Sequence, residues 1–219
     1  MKVLELFAGS RSFSKVAEQY GFKTYTTDIE PFENIDQVCD IFNFNSFKMA
    51  RDFGIPDIIW ASPPCTTFSV ASIGHHWKGG KKAYIPKTKE AKLGIRIVIK
   101  TWLIIKTVKI INPNLIYIVE NPRGLLRKLD LIQGKPKTAW YCQYGDERAK
   151  PTDLWTNLDW NPKSCKNGNP DCGHERAPRG SRTGTQGLKN AYERSRVPQK
   201  LCEEIIDKII KVKHKEKFK

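Results

Sequence analysis

Cys65 stands in Ser62-Pro63-Pro64-Cys65, directly after an apolar run at residues 56–61 that reads as a β-strand. Two prolines restrict the backbone and present the thiol rigidly at a strand terminus. The plain alternative is a packing cysteine, since free Cys is among the most buried residue types. Glu120-Asn121-Pro122 follows a second apolar run, residues 115–119; its plain alternative is an N-cap or turn acid. Together, a sulfur nucleophile and an acid are what conjugate addition to a pyrimidine ring needs. The sulfur adds at carbon 6, the acid engages ring nitrogen 3, and carbon 5 becomes electron-rich. A third element, Leu4-Glu5-Leu6-Phe7-Ala8-Gly9-Ser10, is a strand-to-turn segment whose glycine lets a ligand approach backbone amides. With Asp28 after the next strand, placed to accept hydrogen bonds from a ribose, it reads as a nucleoside-cofactor site.

These groups act together only if their strands end on one edge. Residues 3–7 and 22–27 read as strands flanking a helix at 12–21, with Ser12 as N-cap and Gly21 as stop. Residues 38–42 give a weaker apolar signal. Residues 66–88 are polar, with Gly74, Gly79, Gly80 and four lysines, and read as a long mobile loop. Residues 90–111 have helical length and stop at Asn112-Pro113. Residues 115–119 are apolar throughout, as in a strand buried on both faces. Strands alternating with helices predict an α/β fold with a mostly parallel sheet. Ligands then sit beyond the carboxyl ends of the strands, so residues 8–12, 28–30, 63–65 and 120–124 should converge on one rim. From residue 155 to 187 apolar periodicity disappears; residues 197–212 read as an amphipathic helix, followed by a basic tail.

In this order, the motifs resemble those of the DNA cytosine-5 methyltransferases, and the resemblance covers most of the chain. Glu5-Leu6-Phe7-Ala8-Gly9 matches the first motif, which holds S-adenosylmethionine. Asp28-Ile29 lies where the family places the ribose-binding acid and an apolar residue against the adenine. Asp40-Ile41 matches the next cofactor element. Pro63-Pro64-Cys65 with Phe68-Ser69 is similar to the nucleophile motif, and Glu120-Asn121 to the acid motif. The resemblance implies a Rossmann-like, S-adenosylmethionine-dependent methyltransferase fold. The cofactor would be held by Phe7, Ala8, Gly9, Ser10, Asp28, Ile29, Asp40, Ile41, Pro63 and Ser195. Catalysis would rest on Cys65 and Glu120, with Lys150 and Arg148 steadying the polar edge of a flipped-out cytosine. It further implies a catalytic unit at 1–155 and 188–212, a reduced target-recognition region at 156–187 and a tail at 213–219. The chain departs from the family at Pro122, where valine is usual, at Lys150 and Thr152, where arginines are usual, and at Ser195-Arg196 before Val197-Pro198, where Gly-Asn is usual.

The recognition region carries a second signal, Cys165, Cys172 and His174. Thiolates plus imidazole suit zinc, and an insert poor in apolar residues gains from a metal staple. Cys142, His75 and His76 are the available fourth ligands; the alternative is a loop with incidental cysteines. Arg176, Arg179, Arg182 and Lys189, with glycines between them, suit phosphate and groove contacts, or form a solvated surface. The 219 residues carry 38 Lys and Arg against 23 acids, a formal charge of +15, which favours a polyanionic partner. Double-stranded DNA is the expected one, with tRNA as alternative acceptor and a catalytically silent nucleic-acid binder as the alternative from another class. No run reaches the roughly 18 apolar residues of a membrane span, and Glu5 interrupts any secretory signal. A reduced, cytoplasmic monomer is expected.

Overall fold

The computed structural model describes residues 1–80, 83–174 and 190–217. Its centre is a seven-stranded sheet in the order β3-β2-β1-β4-β7-β9-β8. The strands are β1 (Lys2–Leu6), β2 (Lys23–Asp28), β3 (Gln37–Val38), β4 (Ile58–Ala61), β7 (Ile116–Pro122), β8 (Lys137–Trp140) and β9 (Pro151–Thr156). The first five are parallel; β9 runs antiparallel to both β7 and β8. This is the mostly parallel, Rossmann-like sheet that the methyltransferase resemblance implies. The strand order reverses between β1 and β4, where an open α/β sheet leaves a crevice for ligands.

Side-chain alternation makes the sheet two-faced. Val3, Ile58, Trp60, Ile116 and Ile118 pack on one side with α1 (Ser12–Gln19) and α6 (Gln199–Lys217), where the Phe13 ring stacks on Trp60 at 4.7 Å. Leu4, Leu6, Ile59, Ala61, Tyr117 and Val119 pack on the other with α2 (Ser46–Asp52) and α4 (Lys89–Ile111). Both faces of β1, β4 and β7 are thus dry, which is why their sequences are nearly continuous apolar runs. Among the described residues no helix is long and apolar enough to cross a membrane.

Three expectations are corrected. The N-cap of α1 is Arg11, at φ 54 and with no side-chain cap; Ser12 is the first helical residue. Residues 66–88 are not one loop: they hold α3 (Ile73–His76) and a hairpin of β5 (Trp77–Gly80) and β6 (Ala83–Pro86). Trp77 anchors it, 4 % exposed, packed on Phe68 and donating Nε1–H to the Thr67 carbonyl at 2.7 Å. β8 and β9 were not foreseen. The helix expected over residues 197–212 spans Gln199–Lys217 as α6 and so runs on into the basic tail.

The missing cap of α1 is supplied from β1. Glu5, 3 % exposed, accepts from the amides of Ser14 at 2.8 Å and Phe13 at 3.4 Å, so two orphan donors of the helix start are met by a carboxyl group. Burial raises that carboxyl from 4.5 to about 7, against the pull of these hydrogen bonds and of Arg11. A raised folded-state pKa means that the folded chain holds the proton more tightly. The group's contribution is therefore full below the unfolded value and lost as pH climbs through the folded one. A shift of this size corresponds to about 3 kcal/mol. Urea titrations of wild type and Glu5→Gln should show wild-type stability declining relative to the variant between about pH 4.5 and about pH 7 by that order.

Candidate active site

Leu6, Ala61 and Val119 lie in register across β1, β4 and β7, so the segments that follow them emerge side by side. After β1 the chain turns through Phe7 and Gly9, both at positive φ, and Arg11. Gly9 N–H donates to Asp28 Oδ2 at 2.9 Å, and Ala8 N–H to the Thr27 carbonyl at 3.0 Å, which fastens the turn to the end of β2. Asp28 also receives the Glu30 amide on Oδ1 at 3.0 Å. Beside it Ile29 is 61 % exposed, an isoleucine left on the surface next to a rim carboxylate.

After β4, Pro63, Pro64 and Cys65 form the next turn, and the Cys65 carbonyl accepts from Phe68 and Ser69 amides at 3.0 Å. Asn121, buried on β7, donates Nδ2–H to the Pro63 carbonyl at 2.9 Å. That bond ties the cysteine turn to the strand carrying Glu120. A second tie lies beyond it: Leu125 N–H donates to the Phe68 carbonyl at 2.8 Å. Gly124 is required there, since a Cβ would stand 2.4 Å from that same oxygen.

Glu120 is 5 % exposed and accepts from the Tyr141 hydroxyl at 3.1 Å. Lys150, at φ 24, places Nζ over the Tyr141 ring, 4.5 Å from its centre, and donates to the Arg194 carbonyl at 2.7 Å. Burial pushes the Glu120 carboxyl up, opposed by the Lys150 charge and by the hydroxyls of Tyr141 and Ser62. Burial pushes the Cys65 thiol up as well, joined by the negative charge of Glu120 and opposed by Lys150 and Arg194. Lys150 itself is lowered by burial, with Glu120 and Cys65 holding it up. Cys65, Glu120 and Lys150 therefore form one electrostatically linked group.

The structure places the other sequence candidates as follows. Arg148 is buried and grips Asp146 with two side-chain hydrogen bonds, Nε to Oδ1 at 2.8 Å and Nη2 to Oδ2 at 2.5 Å; its Nη1 has no hydrogen-bond partner among the described residues. Thr152, in the place of a usual arginine, is buried and donates to the Lys150 carbonyl at 3.2 Å. Ser10 bonds the Ser12 hydroxyl at 2.7 Å. Asp40 accepts from the Phe42 amide at 2.9 Å and starts a 3-10 turn, Ile41–Asn43, in which Ile41 is 7 % exposed and packs in the core. Ser195 is exposed at the end of α5 (Ala191–Ser195) and donates to the Tyr192 carbonyl at 2.7 Å. The α5 helix meets the rim through Tyr192, whose ring lies 5.4 Å from Phe32 just after β2. Arg176, Arg179, Arg182 and Lys189 lie outside the described residues.

Sequence reasoning missed Tyr141 and gave Asn121 no task. Nothing distinguishes Tyr141 from a core aromatic in Ala139-Trp140-Tyr141, whereas Asn121 was already in view beside Glu120. His75 and His76 lie in α3 and are not among the described residues that cluster with Cys165, Cys172 and His174; His76 Nδ1 is hydrogen-bonded to the Thr88 hydroxyl at 2.8 Å. Cys142, by contrast, joins Cys165, Cys172 and His174, their ligand atoms all within 4.8 Å of one another.

No protein-family model matches the chain. The chain is 29 % identical over 223 residues to a "probable DNA (cytosine-5)-methyltransferase" of Frog virus 3 (isolate Goorha), covering 94 % of this chain and 99 % of that protein. Among solved structures it is similar to a mutant DNMT2 of Spodoptera frugiperda, at 17 % identity and a TM-score of 0.41. That match covers 73 % of this chain, which spans about half of the other (51 %). The likeness to the viral protein thus extends along nearly its whole sequence.

Proposed function

We propose that this chain is an S-adenosylmethionine-dependent cytosine-5 methyltransferase that acts on DNA through a covalent adduct on Cys65. The observation that carries the reading is the linkage of Cys65, Glu120 and Lys150 at the carboxyl edge of β4 and β7. The full-length viral relative supports the same activity.

The residues present fit the cofactor. A Cβ at Gly9 would meet nothing nearer than Asp28 Oδ2 at 3.9 Å, so the turn has an open face. Asp28 stands at that face with lone pairs to spare for ribose hydroxyls, and the exposed Ile29 offers an apolar surface to an adenine ring. Asp40, Pro63 and Ser195 would border the same site. S-adenosylmethionine supplies an electrophilic methyl group.

A cytosine in a duplex cannot reach a sheet-edge thiol, so it must first leave the stack, at a cost of a few kcal/mol. The Cys65 sulfur then adds to carbon 6, forming the S–C6 bond and moving an electron pair towards carbon 5, while Glu120 gives a proton to ring nitrogen 3. Lys150 stabilises the thiolate form of Cys65. Once carbon 5 has taken the methyl group the cofactor would supply, loss of the carbon-5 proton to a base forms the C5=C6 double bond and breaks the S–C6 bond to release Cys65, while nitrogen 3 returns its proton to Glu120. The Glu120 and Cys65 protonation states are coupled. A neutral Glu120 no longer opposes the thiolate, so the acid needed at nitrogen 3 and the sulfur nucleophile arise together.

Methyl transfer from labelled S-adenosylmethionine to unmethylated DNA and to tRNA tests the reading. Label in DNA, mapping to 5-methylcytosine in a short recurrent motif, is the expected result. Label in tRNA alone would move the substrate to RNA, and intact cofactor binding with label in neither would leave a silent binder. The +15 charge further predicts that DNA binding weakens steadily with salt as counterions are released.

A further inference from the structure

Cys142 sits in the 3-10 turn Tyr141–Tyr144, one residue after the phenol that holds Glu120. Cys165, Cys172 and His174 come from the irregular stretch after β9, more than twenty residues downstream. The fold nevertheless brings one sulfur or nitrogen from each to within 4.8 Å of the others, with Cys165 Sγ 3.9 Å from His174 Nδ1. Zinc at Zn–S of about 2.3 Å and Zn–N of about 2.0–2.1 Å, in a tetrahedron, sets ligand atoms about 3.6–3.8 Å apart. A contraction of about 1 Å at the widest pair therefore completes the geometry. The set is three thiols and one imidazole, with no carboxylate; it is soft, as zinc sites of the structural kind are.

The stretch also needs a fastening. Residues 161–174 contain no strand or helix, and the ones among them that are less than exposed are Pro162, Cys165, Asn169, Cys172 and His174, three of which belong to the cluster. The ties of this stretch to the body gather at Lys163: its N–H donates to the Tyr144 hydroxyl at 2.8 Å, its carbonyl accepts from Trp140 N–H at 3.3 Å, and its Nζ pairs with Glu204 at 3.4 Å. Gln143 Nε2 lies 3.4 Å from Cys172 Sγ and 3.9 Å from Cys142 Sγ, a donor already aimed at two of the sulfurs. Such N–H groups around thiolates are the usual outer shell of a metal site.

We propose that Cys142, Cys165, Cys172 and His174 bind one zinc ion that fastens residues 165–174 to the turn carrying Tyr141. Four protein ligands leave no open coordination position, so the role is structural. The site does not depend on the reaction proposed above. Gly168 N–H donates to His174 Nε2 at 3.2 Å; zinc on Nδ1 would leave the imidazole proton on Nε2, so loading breaks that bond, and the Gly168 amide and Nε2–H each turn to another acceptor.

The full-length chain, purified under reducing conditions without chelator, should carry about one zinc per molecule. After removal of zinc, cobalt(II) should give the intense visible bands of a tetrahedral ion together with thiolate-to-cobalt charge transfer. Cys172→Ser should weaken and shift both signals, while Cys39→Ser, at a cysteine outside the cluster, should leave them unchanged. The proposal is overturned by wild-type protein that holds no zinc and gives only the weak spectrum of octahedral cobalt. It is equally overturned by a disulfide joining two of these cysteines in the reduced preparation, or by a tetrahedral spectrum that survives Cys142→Ser and Cys172→Ser together. If a variant does not fold, the wild-type stoichiometry and cobalt spectrum still decide the matter.

Discussion

Replacing Cys65 by alanine should lower methyl transfer at least about 10³-fold while S-adenosylmethionine binding stays within a factor of about three, because the proposed mechanism loses its only route to an activated carbon 5. The two effects separate because different segments carry them. Cofactor contacts are expected at the Gly9 turn, Asp28 and Ile29, which hold one another through Gly9 N–H to Asp28, and none of these bonds involves the thiol. The Cys65 turn itself is held by backbone groups, through Asn121 to the Pro63 carbonyl and the Phe68 and Ser69 amides to the Cys65 carbonyl, so alanine keeps its shape. Isothermal titration with S-adenosylmethionine and a labelled-methyl assay on the same preparation measure both quantities. Normal turnover by Cys65→Ala would remove the covalent mechanism outright.

How much of this was readable in advance follows from where each feature gets its stability. β1, β4 and β7 declare themselves because burial on both faces demands apolar residues throughout, and the rule that ligands gather at strand ends then places Gly9, Asp28, Cys65 and Glu120 on one edge. β8 and β9 do not, since Lys137–Trp140 and Pro151–Thr156 are short and owe their strand state to antiparallel pairing with β7 and each other. The hairpin at β5 and β6 was hidden by its lysines and glycines; one buried Trp77 on Phe68 outweighs that polarity. The fourth member of the cysteine cluster was equally out of reach. Spacing alone could not choose among Cys142, His75 and His76, and only the return of the chain after β9 brings Cys142 to the other three.

Glu120→Gln should lower kcat by about 10²–10⁴-fold, the usual worth of a positioned general acid, and should also change the shape of the pH profile. Glutamine keeps an acceptor for the Tyr141 hydroxyl, now bonded at 3.1 Å, but has no proton to give to ring nitrogen 3. For the proposed mechanism the wild-type pair must hold one proton in total, with the thiolate on Cys65 and the acid on Glu120. Below the raised pKa of Glu120 a second proton is taken up and the thiolate is lost; above the raised pKa of Cys65 the last proton leaves and the acid is lost. The rate is therefore a bell whose two limbs belong to the pair rather than to either residue. Its acid limb lies above the ordinary carboxylate range, because burial raises Glu120. In Glu120→Gln the only remaining requirement is the thiolate, and the charge that opposed it is gone. The residual rate should climb with pH to a plateau, with a midpoint below the basic limb of the wild type. A bell that persists unchanged in the glutamine variant would assign the shared proton to a group other than Glu120.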